Sequence, residues 1–298
     1  MILTGLHLLL TYQCTYECDH CFAWGSPQQK GTMTIQDISN IINQGKELGT
    51  VTNIYFEGGE PFLYYPIMLA GIRMANSLGF NAGIVSNNYW ATTEQDAIEW
   101  LRPLANLVQN MALSNDTYHN DEITDQYPHN ACLAAEKLGM RTGFIEVAEV
   151  EKVDAAAVRG VLPEDESKVM FRGRAVEKLA ASAPHQPWSV FTECPHEDLR
   201  EPGRVHVDAF GNLHVCQGLV IGNLFRTPLA EICATYCPDA HPIVGPLLEG
   251  GPVGLVQRYG LSHEETYADA CHLCYESRRA LRSQFPEILR PDQMYGVF

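Results

Sequence analysis

Three cysteines fall within eight positions of this chain: Cys14, Cys18 and Cys21, in the stretch TYQCTYECDHCFAWG at residues 11–25. Thiolates hold iron–sulfur clusters, and spacing this close lets one loop wrap one cluster. Three protein ligands on a four-iron cluster leave one iron open. That is the logic of a catalytic metal centre, where a missing protein ligand makes room for another molecule. The competing chemistry is zinc, which would want a fourth Cys or His close by. His20 is the nearest, but it lies between Cys18 and Cys21, an awkward place from which to join the same tetrahedron.

The elements that must carry this loop alternate between strand and helix. LHLLLTY (6–12) reads as a buried strand, followed by a helix over 34–49 with Thr34 as N-cap, Asp37 as its capping-box partner and Gly49 as stop. Ile35, Ile38, Ile41, Ile42 and Leu48 are the apolar positions of that helix. Further strands are expected at 51–57, 80–86, 107–114, 141–150 and 167–172, with helices near 66–78, 92–107, 127–138 and 152–161 and another after Ala175. Repeated βα units imply a parallel sheet with helices packed outside it, and such sheets place their chemistry at the carboxyl ends of the strands. The informative loops do follow strands: the cysteine loop, EGGEP, SNN and SND.

Near residue 181 the texture changes. ASAPHQPW reads as a linker, and a hairpin-like RVHVDAFGNLHVCQG follows it. A boundary near 185 divides the chain into 1–185 and 186–298. Cys132 stands alone in a helical pattern and reads as a buried small hydrophobe.

Composition narrows the setting. The chain has 298 residues, 46% apolar and 19% charged, enough to bury a sizeable core. Acids outnumber Lys and Arg by 36 to 20, for a net charge of −16, which argues against nucleic acid and anionic membranes as partners. MILTGLHLLL lacks the basic region of a signal peptide, and no apolar run is long enough to span a bilayer. A cytoplasmic setting is expected, where ten cysteines read as metal or redox sites rather than disulfides.

Cys14-x3-Cys18-x2-Cys21 after a first strand, with the aromatic His20 just before the last Cys, resembles the radical S-adenosylmethionine (SAM) superfamily. Further motifs in the same order extend the resemblance over most of the chain. It implies a partial (β/α)6 TIM-like barrel, a [4Fe–4S] cluster on the three cysteines, and SAM on its open iron. Gly58, Gly59, Glu60 and Pro61 resemble the segment that meets the SAM amino group, with Glu60 able to pair with an ammonium. Ser114 and Asp116 resemble the pair that binds the ribose hydroxyls, and VSNN, which contains Asn87, resembles the turn after the third strand. FRGRA (171–175) resembles a Gly-Arg-Ala segment. Arg172 or Arg174 would then meet the SAM carboxylate, with a surface arginine as the ordinary reading of either.

The later cysteines resemble the "twitch" appendage, a shortened SPASM extension. Cys194, the Gly211-x4-Cys216 hairpin, and Cys271 and Cys274 of CHLC would together hold one auxiliary [4Fe–4S] cluster. Four thiolates close the coordination, so this cluster would carry electrons rather than SAM. A zinc ribbon is the alternative for the same four. Cys233 and Cys237 are left over, as plain helix-spaced thiols or, with His241, ligands of a further cluster. Arg278, Arg279 and Arg282 would sit on a helix near the auxiliary cluster, where they either raise its potential or form a solvated basic face.

The resemblance implies reductive cleavage of SAM to a 5′-deoxyadenosyl radical that takes hydrogen from a substrate, with an electron donor such as flavodoxin or ferredoxin. The auxiliary cluster suggests net oxidation of a small molecule. SAM motifs that begin near residue 6 leave no room for a leader-peptide-binding domain ahead of them, so a peptide maturase forming a crosslink is the second reading. A non-catalytic iron–sulfur or zinc protein is the third. Glu146, His119 and Tyr118 are the residues offered as a base, each with an ordinary core or surface reading.

Overall fold

The structure is a computed structural model that describes residues 1–119, 126–150 and 166–297. A nine-stranded sheet forms its frame. The first part of the chain supplies β1 (Leu3–Thr11), α1 (Ile35–Leu48), β2 (Asn53–Gly58), α2 (Tyr65–Ser77), β3 (Asn81–Ser86), α3 (Glu94–Leu101), β4 (Val108–Ser114), α4 (Tyr127–Lys137), β5 (Thr142–Val147), β6 (Glu166–Ser167) and the short α5 (Arg174–Lys178). Strands β1 to β6 pair in parallel in chain order, the α/β arrangement that a partial barrel requires. Leu6, Leu8, Leu9 and Leu10 of β1 are all buried, as expected for a parallel strand covered on both faces.

The later part begins with β7 (Gln186–Pro187) and continues through β8 (Gly203–Val207), β9 (Asn212–Cys216), β10 (Leu219–Asn223), α6 (Leu229–Thr235), α7 (Val244–Tyr259, broken at Gly250 and Gly251), β11 (Thr266–Tyr267) and α8 (Ala270–Leu281). Strands β8, β9 and β10 form an antiparallel meander. Strand β8 also pairs in parallel with β1, His206 opposite His7, so the meander continues the barrel sheet without a break.

Local codes explain most of the element ends. Thr34 and Asp37 form a capping box, and Gly49 closes α1 in the left-handed region at φ 78°. Ile38, Ile41 and Ile42 are buried, whereas Ile35 is half exposed at the first turn. The helix expected over 92–107 stops at Leu101, because Pro103 tightens the following turn into a 3₁₀ helix. The strand expected over 167–172 pairs only at Glu166 and Ser167. Residues 168–172 instead leave the sheet and run toward the cysteine loop. The helix expected over 152–161 lies outside the described residues. Among those described, no helix is long and apolar enough to cross a membrane.

Candidate active site

The cysteine loop leaves the carboxyl end of β1 and is stitched down by backbone. Cys14 N–H donates to the Ser26 carbonyl at 3.0 Å, and Cys21 N–H to the Cys18 carbonyl at 3.0 Å. Donors also reach the sulfurs: Gly25 N–H lies 3.2 Å from Cys21 Sγ, and Asn87 Nδ2 lies 3.4 Å from Cys14 Sγ. Burial pushes the Cys14 thiol up to about 12 and moves Cys18 up further. These two buried thiols therefore need a cation beside them to become thiolates, which is how metal binding couples to ionisation.

The two glycines of EGGEP are demanded by the crossing of β1 and β2. A Cβ on Gly59 would sit 2.0 Å from the Gln13 carbonyl oxygen, and one on Gly58, which has φ 136°, 2.5 Å from that of Thr11. Glu60 takes a different place from the one its motif suggests. It is 0% exposed, and its carboxylate accepts from Phe62 N–H and Ser86 Oγ–H at 3.0 Å each and from Asn87 N–H at 2.8 Å. Burial pushes it up to about 7 against those donors. Three intramolecular donors thus occupy the carboxylate, which pins the turn after β3 and is absent from the cavity wall. Pro61 likewise is buried as the first residue of a 3₁₀ turn and lies off the wall.

The cavity itself measures about 430 Å³ and is lined by Cys14, Cys18, Cys21 and His20 together with Gly58, Gly59, Asn87 and Ser114. Asp116 is buried beside it rather than on its wall. It accepts from Tyr118 N–H at 3.1 Å and Val147 N–H at 3.3 Å, and pairs with His119 Nδ1 at 2.9 Å. Burial works upward on this carboxyl, but His119, His20 and the Val147 N–H together outweigh it and hold the group below its usual range. His20 packs 4.8 Å from the Tyr118 ring and 5.0 Å from that of His119, and burial lowers it to about 4.

The segment after β6 closes the loop from above. Gly173 has φ 62°, and a Cβ there would lie 2.6 Å from the Cys21 carbonyl oxygen. Arg174 is buried, not on the surface. Its guanidinium donates to the carbonyls of Cys18 at 2.9 Å and Gly25 at 2.8 Å and lies 5.4 Å from the centre of the Trp24 ring. Arg172, 7% exposed, pairs with Glu197 at 3.3 Å and lies 3.7 Å from Cys216 Sγ. It lines the first cavity and a second one. Its charge is directed at a later cysteine, not held free for a carboxylate in the first cavity.

The second cavity brings together Cys194, Cys216, Cys271 and Cys274, from the loop before β8, the end of β9 and one face of α8. Asp269 caps that helix, accepting from His272 N–H at 2.7 Å and from Phe171 N–H at 3.2 Å. The remaining cysteines stand apart: Cys132 is half-buried at the core's edge, 3.6 Å from Thr142 Oγ1, rather than fully buried, Cys233 is buried in the main core and Cys237 is exposed. His241, offered beside them, spends its Nδ1 on the backbone N–H groups of Ile243 and Val244 at 3.2 and 3.1 Å.

The donor sets suit clusters better than single ions. Among the described residues, three groups of His, Cys, Asp or Glu ligand atoms close to within 4.8 Å of one another: His7–Glu57–His206, His20–Asp116–His119 and His196–Asp269–Cys271. Neither cysteine set is one of them, whereas zinc bonds of about 2.3 Å would draw thiolates to about 3.8 Å apart. The second cavity also holds two buried guanidinium Nε–H donors without a partner, on Arg172 and Arg278, which is the chemistry of a pocket for an anion.

Residues 8–140 match the profile of the radical SAM superfamily. That stretch, a little under half of the chain, carries the first cysteine loop and EGGEP. BtrN, solved in complex with AdoMet and 2-DOIA, superposes with a TM-score of 0.54 at 14% identity, covering 85% of this chain and 90% of BtrN. Native anSMEcpe, solved with bound AdoMet and Cp18Cys peptide, superposes with a TM-score of 0.51 at 12% identity, over 96% of this chain and 98% of its own. These likenesses show the fold. In sequence, YydG of Bacillus subtilis (strain 168), a candidate peptide biosynthesis protein, is 26% identical over 111 residues, 37% of this chain and 35% of YydG. An S-adenosylmethionine-dependent nucleotide dehydratase of Selenomonas ruminantium is 33% identical over 82 residues, 28% of this chain and 29% of that protein. The matched stretches therefore span about a third of each relative.

The cavity has a floor that the sequence motifs do not mark. Glu57, at the end of β2, and Arg204 and His206, on β8, all line it. Glu57 Oε1 lies 2.6 Å from His7 Nδ1 and 3.4 Å from His206 Nε2. Burial works against the Glu57 charge, but the two imidazoles outweigh it and hold the carboxyl well below its usual range. The signal available in sequence is polar residues inside strands, His7 in LHLLL and His206 in RVHV, where a buried parallel sheet calls for apolar ones.

Proposed function

We propose that this radical SAM enzyme oxidises a small molecule held between the cysteine loop and the Glu57–His206 floor, and that Cys194, Cys216, Cys271 and Cys274 hold an auxiliary [4Fe–4S] cluster that takes up the electron released. One observation carries the reading: these four cysteines, scattered over 81 positions of the sequence, share a single cavity whose wall, Arg172, is also a wall of the first. When bound, a cluster on Cys14, Cys18 and Cys21 together with SAM supplies a hydrogen-abstracting radical.

The chain's own part is positioning. Gly58 and Gly59 bring backbone against the cavity, and Asn87 and Ser114 present polar groups to it. Oxidation of a carbon bearing a hydroxyl or amino group removes one hydrogen atom, one proton and one electron. The proton requires an acceptor, and His206 is placed for it. Its Nε2 faces Glu57, which leaves Nδ1 as the lone-pair side of the ring. Burial lowers the His206 pKa against the pull of Glu57, so the ring is neutral and able to accept near pH 7. Of the bases offered by sequence, His119 lines the cavity, whereas Glu146 is engaged with Asn115, and Tyr118 packs on His20.

A peptide substrate is the second reading, favoured by the local identity to YydG and by the peptide-bound anSMEcpe fold. Anaerobic chain supplied with SAM and dithionite should yield 5′-deoxyadenosine. Absence of that product sinks both readings and leaves a non-catalytic iron–sulfur protein. Deuterium passing into 5′-deoxyadenosine from labelled small molecules with a hydroxyl- or amino-bearing carbon, such as 2-DOIA, and not from peptides, supports the first reading over the second.

A further inference from the structure

We infer that Arg278 is the built-in counter-ion of the four-cysteine cluster and that its charge keeps that cluster's reduction potential high enough to accept an electron. The inference rests on the proposal that Cys194, Cys216, Cys271 and Cys274 hold a [4Fe–4S] cluster.

Cys271, Cys274 and Arg278 stand three, four and seven positions apart on α8, and so share one helix face. Arg278 is 2% exposed and lines the cavity beside both thiols. Its Nη1 donates to the Gln217 carbonyl at 2.6 Å, and its Nε–H has no partner. No carboxylate pairs with it among the described residues. The other arginines of this segment differ. Arg279 is 43% exposed and meets Glu177 at 3.5 Å and Glu276 at 3.0 Å. Arg282 pairs with Asp292. Of three neighbouring cations, two have acidic partners outside the cavity, and the most deeply buried one faces only sulfur, a carbonyl and Tyr295.

A buried guanidinium without an anion is costly, so a fold that keeps one implies an anionic occupant next to it. Four thiolates around an oxidised four-iron core carry about two net negative charges, and about three after reduction. A fixed positive charge stabilises the second state more than the first, and low local dielectric magnifies the difference. Arg172 acts in the same direction from the other side, but Glu197 at 3.3 Å answers much of its charge. Asp269, beside Cys271, opposes both arginines. Arg278 is therefore the cation whose removal should be felt most.

The test uses the full chain with Cys14, Cys18 and Cys21 all replaced by Ala, so that a single cluster is read by redox titration followed by electron paramagnetic resonance. This parent should bind about four irons per chain; failure to do so would overturn the proposed auxiliary cluster itself, before Arg278 is tested. Arg278→Gln should keep its iron and shift the midpoint to more negative potential, while Arg278→Lys stays near the parent and Arg279→Gln leaves it unchanged. A loaded Arg278→Gln variant with an unshifted midpoint overturns the inference. If Arg278→Gln does not load, Arg278→Lys decides: loading at the parent potential supports a charge role, and failure to load as well overturns it in favour of simple packing.

Discussion

Arg172 and Arg174 stand two positions apart and reach different cysteine sets, Arg172 at Cys216 and Arg174 on the first loop. Arg174 grips the cysteine loop through two carbonyls, at Cys18 and Gly25. Arg174→Ala is expected to leave both acceptors buried and unpaired, at about 1–3 kcal/mol each, and to lose iron from the first site while sparing the second. Metal analysis in the presence and absence of a functional second cysteine set distinguishes the two losses. Gly59→Ala should act similarly for a steric reason, because its Cβ has backbone 2.0 Å away; Gly49→Ala, with open space around its Cβ, is a control for backbone strain alone. His206→Gln should retain SAM cleavage and lose most product, read as the ratio of 5′-deoxyadenosine to oxidised substrate. At this scale the first cysteines were legible because their spacing is local, eight consecutive positions on one loop. Glu60 was not, because a motif names a residue but not the direction of its carboxylate. Glu57 and His206 carry no local mark, because only strand register joins positions 149 residues apart.

The elements show the same division between local and distant information. Helix α1 could be read whole from the sequence, since its cap, face and stop are all encoded within its own span. Thr34→Ala should lower the thermal midpoint by an amount equivalent to about 1 kcal/mol. Strand β6 could not be read, because the apolar run SKVMFR looks strand-like while Gly173 and Arg174 are drawn toward the cysteine loop. The join between β1 and the β8–β9 hairpin was equally silent. It is held by a buried cluster in which Asp208 accepts from Tyr12 Oη–H at 3.0 Å and Asn212 Nδ2–H at 2.9 Å and pairs with His214 at 3.1 Å. Burial pushes the Asp208 carboxyl up, but His214 and Asn212 outweigh that and hold it below its usual value. Its contribution to stability is thus fully present above the unfolded pKa of about 3.9 and is lost as pH falls through the lower folded value. Asp208→Ala should cost about 3–5 kcal/mol at neutral pH. Asp208→Asn should flatten the acid side of a stability–pH curve measured by denaturant unfolding.

For the whole molecule, the parallel pairing of β8 with β1 is the decisive feature. The sequence suggests two units meeting near 185, and the sheet runs across that point. Residues 1–185 expressed alone would leave β1, with its buried leucines, as an unprotected sheet edge, a template for pairing with other chains. Such a fragment is expected to elute as large aggregates in size-exclusion chromatography, whereas the full chain does not. A monodisperse, iron-loaded fragment would contradict this. The order of βα units was readable because each short-range alternation predicts its own neighbour. The return of the chain to its first strand after about 200 residues was not, because no local pattern encodes it.

Four consecutive residues, Phe171 to Arg174, reach both cysteine sets: Phe171 through the Asp269 cap, Arg172 at Cys216, Gly173 and Arg174 on the first loop. The two centres are consequently fastened by one strap. Heating that peels it away releases both together, so the visible absorbance of the two proposed clusters should bleach in a single step, and a chain nicked by protease between 171 and 174 should lose both colours at the same rate.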